Sequence, residues 1–242
     1  MAARFGVPIA VLAILAPCSG EAQGSGAGML TYAYGANWDA ARAQRDMLIF
    51  EYFSTWRYGD NYVYLETQNL ATREGDAATA GSGPTTPYGE VHARVSIGKL
   101  SGAAVSLGPL QDVLTAYQID VSQGDVVLLT GAGMTWGLHG RPLLNTDFFV
   151  RYDPSLGTIT WQGVAYGEWT FRVGPAPVSY GGYAKFVGPE GAVAPFIVSD
   201  TRLLWAAFPH ARLGLAIRAW RNDSGVRGIN EVVPEAIVQW RF

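Results

Sequence analysis

From Met29 onward the chain is a succession of segments, about 9 to 14 residues each, in which apolar and polar side chains alternate between Gly, Pro, Asp, Asn or Ser. A period of two sends successive side chains to opposite faces of a β-strand. In "MLIFEYFSTWR", Leu48, Phe50, Tyr52 and Trp56 share one face, and Ile49, Glu51, Phe53, Thr55 and Arg57 share the other. In "LLNTDFFVRY", Leu144, Phe148, Val150 and Tyr152 oppose Asn145, Asp147 and Arg151. Further on, Ile159, Trp161, Trp169 and Phe171 oppose Gln162, Tyr166, Glu168 and Arg172, and Leu213, Leu215 and Ile217 oppose Arg218. Twelve segments of this kind lie near 29–38, 46–57, 61–69, 89–98, 112–121, 126–136, 143–152, 158–172, 178–187, 196–207, 211–221 and 233–242. Helical periodicity is missing, and beyond the N-terminal stretch there is no apolar run of 18 residues.

A strand that is apolar on one face and ionic on the other, near 10 residues long, suits a bilayer only if the sheet closes on itself. Hydrocarbon cannot satisfy open backbone donors and acceptors, so an edge is forbidden there. The sequence therefore predicts a twelve-stranded antiparallel transmembrane β-barrel over residues 23–242, the even number expected of bacterial single-chain barrels. Composition agrees: only 15% of residues are charged against 49% hydrophobic, below the roughly 25% charged of a soluble domain. A net charge of −3 implies no general attraction to nucleic acid or anionic lipid.

The first 22 residues read as a signal peptide: an early Arg4, an apolar run from Phe5 to Pro17, then small residues up to Ala22. Export through such a signal, followed by a barrel, places the protein in the outer membrane of a Gram-negative bacterium, in contact with its lipid. "LAPC" at 15–18 is a weak lipoprotein box, with Pro17 against it. Cys18 is the sole cysteine, so a chain cut after Ala22 holds no disulfide and no thiolate metal site. Connectors 58–61 and 208–211 are tight, whereas 70–89, 187–195 and 221–231 are longer and fall on the outer side if both termini are periplasmic. Connector 99–112 breaks this alternation. The last segment, "EAIVQWRF", ends with Ala236, Val238, Trp240 and Phe242 on its apolar face. A terminal aromatic of this kind is expected at the lipid interface and as the signal read by the barrel-insertion machinery.

The stretch "YGEVHARVSIGKLSGAAVSLGPLQDVLTAYQID" (88–120) resembles the Tsx-like nucleoside-specific channel-forming proteins, through Arg94, Ser96, Ile97, Lys99 and Leu100, then Ser106 to Pro109. Val95 stands where that family has an aromatic, and Ala93 where it has a proline. "FEYFSTWRYGDNYVYLE" (50–66) is similar to the family's second and third strands, and "LGLAIRAWRNDSG" (213–225) to its penultimate one. The resemblance implies a twelve-stranded outer-membrane barrel that passes nucleosides by diffusion, with some relatives serving as phage receptors.

By alternation the inward set includes Glu51, Arg57, Tyr62, Tyr64, Glu66, His92, Arg94, Asp147, Phe149 and Arg151. It continues with Tyr166, Glu168, Arg172, Tyr183, Lys185, Asp200, Arg202, Arg218 and Trp220. As solute-contacting residues we take Glu51, Arg57, Tyr62, Glu66, His92, Arg94, Asp147, Arg151, Arg172, Lys185, Arg218 and Trp220. Aromatics can stack a flat base, and carboxylates and guanidiniums can bind hydroxyls and base edges. The same charges can instead pair with one another across neighbouring strands, compensating their desolvation. Outward Trp56, Trp161, Trp169, Trp205 and Trp240 read as lipid-facing. Catalysis, cofactors and metals find no support. His92 and Ser96 are four positions apart on one strand, about 13 Å at the usual rise, and His92, His139 and His210 show no ligand spacing. "GAGMTWG" (131–137) has no lysine after it and is not a phosphate loop. The competing readings are a barrel working mainly as adhesin or receptor through its loops, a secreted β-sandwich, and an outer-membrane enzyme.

Overall fold

The structure is a computed structural model and describes residues 25–36, 44–68, 87–103, 105–122, 125–138 and 141–242. The expected signal sequence 1–22 with Cys18, most of connector 70–89 and His139 lie outside the described residues. Twelve strands follow in order: β1 (Gly26–Ala36), β2 (Gln44–Trp56), β3 (Gly59–Gln68), β4 (Tyr88–Ser96), β5 (Leu110–Ser122) and β6 (Asp125–Leu138). Then come β7 (Arg141–Asp153), β8 (Thr158–Val173), β9 (Ala176–Val187), β10 (Phe196–Ala206), β11 (Ala211–Arg221) and β12 (Asn230–Arg241). Each strand pairs with its neighbours in sequence, and β1 pairs antiparallel with β12, so the sheet is one closed barrel. A single ring of this kind rules out the two stacked sheets of a β-sandwich.

All twelve predicted segments are strands, most of them one to three residues longer than the alternation indicated, with the tenth one residue shorter. The fourth is shorter. It stops at Ser96, whose Oγ accepts from the Lys99 amide at 3.1 Å and caps a one-turn helix, α1 (Ile97–Ser101). That hydrogen bond satisfies one of the orphan donors at a helix start, and it explains why the 99–112 connector is long. Gly102 ends α1 at φ 71°, a left-handed position that favours glycine. The last strand is longer than expected: it begins at Asn230 and runs through Pro234, which faces Ile217 of β11.

The wall is inverted relative to a water-soluble domain. Leu30, Phe148, Val150, Ile159, Trp161, Leu203, Trp205, Leu215, Ile217, Val238 and Trp240 all stand exposed on the outside. Inside, Thr31, Glu51, Glu66, His92, Arg94, Asp147, Asp200, Arg218, Glu235 and Gln239 are buried. This arrangement costs free energy in water and gains it in lipid, as expected of a bilayer-spanning barrel. The interior also holds apolar patches. Ala33, Met47, Ile49, Tyr64, Leu204, Ala216, Val233 and Ile237 cluster on the β1–β3 and β10–β12 side, and Ala116, Val127, Leu129 and Phe149 on β5–β7.

Closure is completed by Phe242: its amide donates to the Gly28 carbonyl at 3.0 Å, and its carbonyl accepts from the Gly28 amide at 3.0 Å. The Phe242 ring lies over Gly28, where a Cβ would come within 2.4 Å of it, and stacks on Phe50 with centroids 6.4 Å apart. Gly182 of β9 has φ 150°, and a Cβ there would lie 1.8 Å from the Asp200 carbonyl oxygen of β10. Gly182→Ala therefore forces main chain apart and adds backbone strain of about 1–3 kcal/mol. The expected outcome is a lower midpoint for conversion of the compact, heat-modifiable gel form to the unfolded form; an unchanged midpoint contradicts this reading of the β9–β10 seam.

Candidate solute pathway through the barrel

The barrel encloses a cavity of ≈ 870 Å³. Nine carboxylate residues line it against six Arg or Lys, together with Tyr62, Tyr64, Tyr88, Tyr166 and Tyr183. Because side chains alternate along each strand, the lining takes alternate residues, as on β3 with Asp60, Tyr62, Tyr64, Glu66 and Gln68 and on β4 with Tyr88, Glu90 and His92.

Ion pairs cross the cavity from wall to wall. Lys185 of β9 pairs with Glu90 of β4, five positions away around the ring, and Tyr88 donates to the same carboxylate. Arg202 of β10 reaches Glu51 of β2 at 2.7 Å while also pairing with Asp200 at 3.0 Å. Tyr62 donates to the other oxygen of Glu51 at 2.8 Å. Arg218 of β11 meets Glu66 of β3 at 2.9 Å and lies 3.3 Å from Glu235 and 3.5 Å from Asp200. Tyr64 and Gln68 donate to Glu66. At the mouth away from the chain termini, Arg151 of β7 pairs with Asp120 of β5 at 3.2 Å. Its Nε donates to Glu190 in the 188–195 connector at 2.8 Å. Each of these carboxylates is paired, and all but the partly buried Glu90 are buried, the condition under which a desolvated charge is tolerated.

A further group surrounds Arg94 of β4. Its guanidinium grips Asp60 of β3 through two hydrogen bonds of 2.8 and 2.7 Å, donates to Asn145 of β7 at 3.1 Å, and lies 5.4 Å from the centre of the Tyr166 ring. Asp147 lies beside it, 3.6 Å from Arg94 Nη1 and 3.6 Å from His92 Nε2. Phe149 and Tyr166 meet the His92 ring edge to face, with centroids 5.7 and 6.4 Å away.

The structure thus gathers Glu51, Tyr62, Glu66, His92, Asp147, Arg151, Lys185, Arg218 and Trp220 on the cavity lining, with Arg94 buried just behind it. Arg57 and Arg172 are corrections. Arg57 follows the last residue of β2, where strand alternation has ended; it is exposed, with its guanidinium 5.0 Å from the centre of the Tyr58 ring. Arg172, near the end of β8, is exposed and folds back to donate to the Pro175 carbonyl at 2.8 Å. Sequence reasoning missed Glu90 and Asp120, although both have inward parity in β4 and β5. It also missed Asp60, in a presumed turn, and Glu190, in a connector with no periodic signal. Ser96 donates to Asp112 at 2.8 Å, not to His92, and no cluster of metal-ligating residues occurs among the described residues.

The wall-to-wall pairs generate a prediction. Lys185→Met leaves the partly buried Glu90 without its cation and should destabilise the barrel by up to about 3 kcal/mol. Adding Glu90→Gln should recover most of that loss. Denaturant-induced unfolding in detergent micelles measures both, and additive losses would mean the two residues are uncoupled.

No family model matches the sequence, and no curated protein matches it. Solved structures do. The barrel is similar to the KdgM porin, with a TM-score of 0.52 at 7% identity over 88% of this chain and 99% of that one. The KdgM porin in complex with disordered oligogalacturonate gives a TM-score of 0.52 at 8% identity, with the same coverage. The outer membrane phospholipase A from Escherichia coli gives 0.51 at 10% identity, over 88% of this chain and 89% of that one. At such identities the likeness establishes the fold: a closed antiparallel barrel of the outer-membrane type.

Proposed function

We propose that the chain is an outer-membrane channel for passive diffusion of small solutes, with nucleosides as its solutes. The observation that carries this reading is a polar, tyrosine-rich cavity enclosed by a wall that is apolar toward the bilayer. Tyr62, Tyr64, Tyr88, Tyr166 and Tyr183 offer faces on which a base can stack, worth about 1–3 kcal/mol per base by analogy with single-strand binding. Buried carboxylates and guanidiniums offer partners for hydroxyls and base edges. Several modest sites in series suit a pore, which must release what it holds. Export by a signal peptide and reading of Phe242 by the insertion machinery complete the reading.

Charge separates this solute class from the oligogalacturonate held by the KdgM porin. Nine carboxylates against six Arg or Lys give the lining a negative balance, which repels polyanions and favours neutral or cationic solutes. In planar bilayers the expected result is a cation-preferring conductance, blocked in a titratable way by adenosine and thymidine but not by oligogalacturonate. Absence of conductance, or stronger block by the polyanion, overturns the reading. Glu51→Ala should lower nucleoside flux more than bulk ion conductance, because it removes the acceptor shared by Arg202 and Tyr62. Equal loss of both would mean a collapsed pore.

A further inference from the structure

Most carboxylates in the lumen are engaged by close donors. Asp147 is not. Its side chain is buried, yet neither oxygen has a hydrogen-bond partner. Its neighbours Arg94 Nη1 and His92 Nε2 both stand 3.6 Å away, one against Oδ1 and the other against Oδ2. Those distances are too long for hydrogen bonds. His92 Nε2 also lacks a partner. The carboxylate keeps this place because Gly133, its cross-strand neighbour on β6, has no side chain: a Cβ there would lie 2.5 Å from Oδ1. The Tyr166 hydroxyl also faces this carboxylate, but no donor makes a close, well-aligned hydrogen bond to it. A buried carboxylate so weakly satisfied is costly, and the arrangement points to a donor that comes from outside the protein.

Neither Asp147 oxygen nor His92 Nε2 is open to solvent, so a hydroxyl enters only as the side chains around them part. An oxygen about 2.8 Å from both partners fits a 3.6 Å separation. One hydroxyl can donate to Oδ2 and accept from His92 Nε2, with the imidazole proton on that nitrogen; a second can donate to Oδ1 and accept from Arg94 Nη1. The two positions sit on the two oxygens of one carboxylate, which matches adjacent hydroxyls on a sugar ring. Phe149 and Tyr166 flank His92 and supply apolar surface for the ring carbons. A metal cation is disfavoured, because the Arg94 guanidinium already faces the same carboxylate.

We propose that Asp147, with His92 and Arg94, forms a subsite for a vicinal diol. This rests on the channel reading and deepens it, since the diol can belong to the ribose of a nucleoside or to a free sugar. The experiment uses the full mature barrel in planar bilayers and compares half-blocking concentrations of adenosine, 2′-deoxyadenosine, methyl ribofuranoside and methyl 2-deoxyribofuranoside. Loss of one hydrogen bond to a buried carboxylate should weaken block by about tenfold. Adenosine is expected to block at about one-tenth the concentration of 2′-deoxyadenosine, and the ratio should fall to about one in Asp147→Asn. Gly133→Ala, which keeps the carboxylate but displaces it, should reduce the same ratio. Should either variant fail to fold, the comparison of ligands on the unsubstituted protein still decides. Stronger block by methyl ribofuranoside than by methyl 2-deoxyribofuranoside, with no block by nucleosides, keeps the diol subsite and removes the nucleoside reading. Equal block by adenosine and 2′-deoxyadenosine, or a ratio that survives Asp147→Asn, overturns the subsite while leaving a nucleoside channel standing. No conductance at all overturns both.

Discussion

The structure depends on the seam between β1 and β12. In hydrocarbon an unpaired strand edge leaves a row of amides and carbonyls with no partner. The register from Met29↔Arg241 to Gly35↔Glu235 removes that edge, and the two Gly28–Phe242 hydrogen bonds extend it by one residue. Once the ring is closed, alternation within each strand follows without further instruction. One set of side chains meets lipid and the other is confined with water and its own charges.

Confinement then sets the second problem, because a ring of this size brings many ions close together. Its solution is pairing at long range. Lys185 and Glu90 are far apart in sequence yet almost opposite each other across the ring. Tyrosine hydroxyls take up remaining carboxylate lone pairs at Glu51, Glu66 and Glu90. The apolar patches on either side pack the wall where no ion is needed. A lumen crossed by such pairs is narrow, which fits small solutes better than polymers.

Most of the architecture was legible in the sequence, since the two-residue period is local and survives any tertiary context. Strand number, closure and the inward faces of β2, β7 and β12 follow from it. The limits of each strand were less legible. Arg57 and Arg172 keep inward parity on paper, but parity has no meaning once the chain leaves the ladder or the side chain turns back to a turn carbonyl. The helix α1 was hidden because its start depends on a single serine cap. The partners of the inward charges were not legible at all. Which carboxylate faces Lys185 depends on the stagger of strands that are distant in sequence, and no local pattern records it. Asp147 was visible as an inward acid, while its lack of close donors appears only in three dimensions.

The two ends of the barrel are not equivalent. At one, Arg151 ties Glu190 of the 188–195 connector to the wall, and the Ala194 amide donates to the Gly225 carbonyl at 3.0 Å, joining two connectors into a shared rim. At the other, the corresponding place is taken by α1 and short turns. Under the proposed channel reading, a molecule in transit therefore meets different barriers according to which side it starts from. Equilibrium across the membrane is untouched by this, but on that reading the inward and outward rates at high driving force need not match, and the rim that joins the two connectors becomes a source of rectification.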